Sequence, residues 1–97
     1  MRVQFVEREN GPERLVCEAE LVFDEAESPL LGMKLVGFSL WRSVEGEVFV
    51  SFPSRAFGIG TERRYFDYLR SVEGGGAEGK RVKAWILEQF EARSRAA

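Results

Sequence analysis

Apolar and polar residues alternate with period two along most of the first two thirds of the chain, which predicts extended strands. Residues 2–8 alternate weakly, with Val3 and Phe5 on one side, before Asn10-Gly11-Pro12 marks a turn. From Leu15 to Phe23 the alternation is regular: Leu15, Cys17, Ala19, Leu21 and Phe23 share one face and Glu18 and Glu20 the other. After an acidic loop (Asp24 to Pro29) and a short apolar Leu30-Leu31-Gly32, a third strand over Lys34–Arg42 buries Val36, Phe38 and Leu40. Glu45-Gly46 predicts a tight hairpin, and Val48 to Phe52 returns until Pro53 stops it. A loop holding Gly58 and Gly60 then leads to a short last strand over Tyr65–Leu69.

The period changes after Gly74-Gly75-Gly76. Val82, Trp85, Ile86, Gln89 and Phe90 recur at i, i+3, i+4, i+7 and i+8, one face of a helix from about Ala77 to Ala92. Lys80, Arg81 and Lys83 lie off that stripe, and residues 93–97 are expected to fray. Strands first and a helix last predict an α+β domain, an antiparallel sheet of about five strands with the helix on one face. The 97 residues suffice for one domain, spanning 1–97. So small a domain buries only roughly 60–65% of its unfolded surface and gains from a partner; free sheet edges add a second motive for a homodimer.

Composition narrows the chemistry. Histidine is absent, which removes the usual general base and the commonest zinc ligand. The one cysteine, Cys17, excludes an internal disulfide and sits mid-strand on the apolar face, where a thiol behaves as a small hydrophobe. Asp24, Glu25 and Glu27 lack the ligand register of a calcium loop. Neither a metal nor a cofactor is expected, and the chain reads as noncatalytic. No apolar run approaches the ~20 residues of a membrane span. Charge comes too early in Met1 to Arg8 for a signal peptide, so a cytoplasmic protein is expected.

One motif tests this reading. Gly74-Gly75-Gly76-Ala77-Glu78-Gly79-Lys80 fits the spacing of a phosphate-binding loop between a strand and a helix. Arg81 stands where a hydroxyl must meet Mg²⁺, and too little chain follows to supply a downstream metal-holding Asp. A glycine linker ending at a helix start explains the stretch better.

The net charge of −2 hides an asymmetry. Residues 1–50 carry five basic and ten acidic side chains, a net of −5; residues 51–97 carry nine and six, a net of +3. Arg55 precedes the glycine loop, Arg63 and Arg64 follow it, and Arg70 lies further on, a set suited to phosphate. Trp41, Phe49, Phe52, Tyr65, Phe66 and Tyr68 are read first as core and interface residues, with a base-stacking platform as the alternative.

The run Val36-Gly37-Phe38-Ser39-Leu40-Trp41, the Glu45-Gly46 turn, and Val48-Phe49-Val50-Ser51-Phe52-Pro53-Ser54-Arg55 resemble the SpoVG family of septation and sporulation regulators. Val82, Ile86-Leu87 and Phe90 look like that family's last helix, so the likeness covers about residues 33–92. Two departures mark a divergent member: Ala56-Phe57 where a second basic residue is common, and Leu69-Arg70 in place of Pro-Ile. The resemblance implies a homodimer that binds DNA or RNA, with Pro53, Ser54 and Arg55 as the signature loop. On this reading Arg55, Arg63, Arg64, Arg70, Lys80 and Lys83 contact phosphates. The alternative is a protein-interaction or scaffold module that binds no nucleic acid.

Overall fold

The computed structural model describes residues 1–96. Four strands, β1 (Arg2–Val6), β2 (Leu15–Val22), β3 (Lys34–Arg42) and β4 (Val48–Ser51), form an antiparallel meander in the order β1-β2-β3-β4. The Ser43–Glu47 turn closes with Ser43 N–H on the Glu47 carbonyl at 2.7 Å, and Gly46 takes φ +90°, as its place in the hairpin requires. A second, two-stranded sheet pairs β5 (Ser54–Phe57) with β6 (Arg64–Asp67) around a short 3₁₀ turn, Gly60–Glu62. One helix, α1 (Ala77–Ala96), follows. The arrangement is α+β, as expected. The fifth strand, however, is not part of the main sheet. Pro53 has no N–H to extend the ladder, so the chain leaves the sheet there and pairs with itself.

The register explains the core. Phe5, Ala19 and Phe38 stand opposite one another across β1, β2 and β3, and Cys17, Leu40 and Val50 across β2, β3 and β4. Ile86 of α1 closes over them, and Phe38, Leu40, Ile86 and Cys17 are the largest fully buried side chains. Burying one side chain such as Phe38 is worth about 1.5–3 kcal/mol. At the open side Phe90 meets Phe5 edge to face at 5.5 Å.

Three expectations about faces change. Val36 is 51% exposed rather than buried. Between the Leu21–Leu35 and Ala19–Phe38 pairs β3 carries one extra residue, a bulge, so Val36 loses its place beside Phe38. Gly37 in that bulge has φ +104°, and a Cβ there would lie 2.8 Å from Pro53 Cβ, so glycine is required twice over. A second irregularity, between Leu15 and Cys17, brings Val16 against the core and leaves Leu15 half-buried. Finally, Val82, Trp85, Ile86 and Phe90 pack on the core as expected, but Gln89 is exposed and the apolar stripe of α1 widens on its other side to Leu87.

The helix also runs past Ala92, to Ala96, where fraying was expected. Arg93 accounts for this: it pairs with Glu7 at 3.3 Å and its guanidinium lies 5.7 Å from the Phe5 ring centroid, tying the last turns to β1. Ala97 lies outside the described residues. No helix is long and apolar enough to cross a membrane.

Candidate nucleic-acid interface

The signature residues mark the point where the chain turns out of the sheet. Pro53 rests against Gly37, and its carbonyl accepts the Tyr68 N–H at 2.9 Å, so the two ends of the hairpin are tied together. Ser54 opens β5 opposite Asp67 and so belongs to a ladder, not to a turn. Of the stretch expected as a flexible glycine loop, Ser54–Phe57 is therefore strand, and the turn is confined to residues 58–63. Gly58 (φ +87°) starts the turn; a Cβ at this position would lie 2.6 Å from the Glu62 carbonyl oxygen.

Alternation along β5 and β6 sorts the hairpin side chains onto two faces. Arg55 stands opposite Phe66 and Phe57 opposite Arg64, giving one face of interleaved arginine and phenylalanine. On it the Phe57 and Phe66 rings meet edge to face at 5.3 Å, and the Arg55 guanidinium lies 4.7 Å from the Phe57 ring centroid. Arg63 stands over Tyr65 at 5.6 Å, and Tyr65 alternates onto the opposite face. Phe57 was not among the expected functional residues; the alternating Ser54-Arg55-Ala56-Phe57 between Pro53 and Gly58 was the strand signal that could have found it.

Arg70, Lys80 and Lys83 belong to a second grouping. They border an open cleft of about 810 Å³ between the foot of the hairpin, the Ser71–Gly76 linker and the start of α1. The linker is shaped by Ser71 Oγ, which donates to the Gly75 carbonyl at 2.7 Å, and the Gly76 carbonyl receives Lys80 N–H at 3.1 Å. Lys83 extends over the Phe52 ring, 5.2 Å from its centroid. A smaller groove of about 360 Å³ lies on the hairpin between Arg55, Phe57, Phe66 and Tyr68. Asp67 and Arg70 line both cavities. The structure thus brings Arg55 and Arg70 to one groove and Arg70, Lys80 and Lys83 to the adjoining cleft, with Arg64 beside Phe57. Arg63 is left on the other side of the hairpin.

Charge pairing separates these cations from most of those in the first half of the chain. In the first half of the chain Arg2 pairs with Asp24 (3.6 Å), Arg8 with Glu18 (2.7 Å) and Lys34 with Glu20 (3.1 Å), and Arg42 donates to the Gly46 carbonyl at 3.0 Å. The hydrogen bonds from Lys34 and Gln4 hold the Glu20 carboxyl below its usual range. Among the described residues, Arg55, Arg63, Arg64, Arg70, Lys80 and Lys83 make no such ion pair, and all six are exposed.

The aromatic residues do not form one platform. Phe52 is only 8% exposed and meets Phe38 edge to face at 5.3 Å, so it is core. Trp41 and Phe49 pair across β3 and β4 on the sheet face away from the helix, while Tyr65, Phe66 and Tyr68 remain exposed on and beside the hairpin. Cys17 is buried, and burial pushes its thiol up, away from the nucleophilic thiolate. Among the described residues no group of three Cys, Asp or Glu side chains gathers to hold a metal ion. No family model, curated protein or solved structure matches the chain.

Proposed function

We propose that this protein is a noncatalytic, SpoVG-like, cytoplasmic nucleic-acid-binding protein whose hairpin and helix start contact phosphates. One observation carries the reading: Arg55, Arg63, Arg64, Arg70, Lys80 and Lys83, with Arg81 beside the lysines, are exposed and make no ion pair among the described residues, while most basic side chains of the first half are already engaged. Unpaired cations on a protein of net charge −2 keep their field for an external polyanion, and the acidic half limits how tightly it is held. The Pro53-Ser54-Arg55 step supports the family likeness, because it stands where the chain passes from sheet to hairpin.

Fluorescence anisotropy with labelled DNA and RNA over a salt series tests the proposal. Affinity falls steeply as salt rises, and the slope shrinks by about 0.7–0.9 for each phosphate contact removed. Reversing Arg64 and Arg70 to Glu weakens binding at least tenfold; absent binding at low salt, or indifference to that reversal, overturns it.

A homodimer forms part of the proposal. β4 is an edge strand, and Phe49 on it is 49% exposed beside Trp41. Pairing of two such edges covers both. Light scattering at high micromolar concentration then gives twice the chain mass. The same surface also serves the alternative reading, a protein-interaction module; recovery of one stoichiometric protein partner and no nucleic acid favours that reading.

A further inference from the structure

We infer that the nucleic acid this protein takes is single-stranded, its bases stacking on the Phe57–Phe66 face of the hairpin and its backbone passing over Arg70 to Lys80 and Lys83. The inference rests on the proposed function and adds the ligand's form and its path.

A protein that reads only the phosphates of a duplex has use for cations and none for exposed rings, because the base faces of a duplex are stacked against one another. A single strand leaves those faces free, and its usual receptors combine a basic track with aromatic side chains. The hairpin shows that combination. Phe57 and Phe66 are 45% and 47% exposed, held at a fixed mutual angle by their edge contact, with Arg55 against Phe57 and Arg64 opposite it. Tyr68, 63% exposed, lies at the lower end of the same groove. None of these rings is needed to bury the core, which is complete without the hairpin.

The hairpin groove and the larger cleft share Asp67 and Arg70, so a chain leaving the phenylalanine face meets Arg70 and then the lysines across the cleft. The shared carboxylate, Asp67, disfavours a phosphate at the junction itself and leaves Arg70 as the contact there. An extended, flexible strand can bend through this junction. A stiff duplex cannot lay its bases on one bank and its backbone in the other.

The test uses anisotropy of a labelled thymidine 20-mer, alone and annealed to its complement, at one low salt concentration. The expected result is a single strand bound at least tenfold more tightly than the duplex. The double variant Phe57→Leu/Phe66→Leu keeps the apolar contact but removes the stacking faces; it loses about tenfold or more on the single strand and little on the duplex. Lys80→Glu/Lys83→Glu weakens binding and lowers the single-strand salt slope by about one to one and a half. Circular dichroism of each variant confirms the fold, and Tyr68→Ala, outside both strands, supplies an independent loss of single-strand affinity. Equal affinity for both forms, or a leucine variant that binds the single strand as the wild type does, overturns this inference and leaves the proposed function standing. No binding to either form, nor to a labelled uridine 20-mer, overturns both.

Discussion

The sheet-and-helix body and the β5–β6 hairpin differ in what their side chains touch. Among the described residues, all eight buried apolar side chains belong to β2, β3, β4, the adjoining Phe52 and α1, and β5 and β6 contribute none. Every residue of β6 is exposed. A two-stranded hairpin is marginal on its own, so this one is held by Pro53 on Gly37, by the Tyr68–Pro53 hydrogen bond and by the Phe57–Phe66 edge contact. The body carries the stability, and the hairpin, joined by the start of α1, carries the proposed ligand surface. The charges divide along a related line: most basic groups of the sheet are engaged, while the cations of the hairpin and of the start of α1 stay open.

The largest effect that can break this division is in the core. Phe38→Ala removes a fully buried ring and costs about 3–5 kcal/mol, which leaves a domain of this size largely unfolded in urea titration at room temperature. Native-state hydrogen exchange sharpens the contrast: amides of β2 and β3 exchange only through global unfolding, whereas those of β5 and β6 exchange through local opening at much lower free energy. Equal protection in both regions contradicts the division. Gly37→Ala is next, at about 1–3 kcal/mol from the positive φ, with the clash on Pro53 added; it also tilts the hairpin and weakens nucleic-acid binding without touching the ligand. By contrast, Phe66→Leu changes thermal stability by no more than about 0.5 kcal/mol.

The smallest effect is the pH response of the body's surface pairs. The Glu20 carboxyl is held below its usual range by Lys34 and Gln4, so its contribution is present above the unfolded value near 4.5 and is lost as pH falls through the lower folded value. Melting temperature measured from neutral pH down to about pH 3 declines less in Glu20→Gln than in the wild type.

Much of the body was legible along the chain because period-two alternation and the change of period after Gly74-Gly75-Gly76 are local signals. What escaped was set by long-range geometry. Val36 reads as inward from its neighbours, and only the bulge paired with β2 turns it out. The hairpin strand Ser54–Phe57 hid behind glycines at 58 and 60, since a proline–glycine frame reads equally as loop. The candidate cations were legible by type and clustering. Their division between two faces was not, because it depends on which residue of β5 meets which of β6: the pairing sets Phe57 opposite Arg64 and puts Arg63 on the far side. The helix extension rests on Arg93 reaching Glu7, eighty-six positions away, which no local pattern reports.

The Tyr68 N–H bound to the Pro53 carbonyl brings the entrance and exit of the hairpin to one spot on the sheet. A segment with adjoining ends behaves as an interchangeable cassette: another hairpin of any length can be grafted between those two positions with the body unaltered. Recognition in such a scaffold can drift from one ligand to another by exchange of a single insert, and the same feature makes it a practical frame for selecting new binding surfaces.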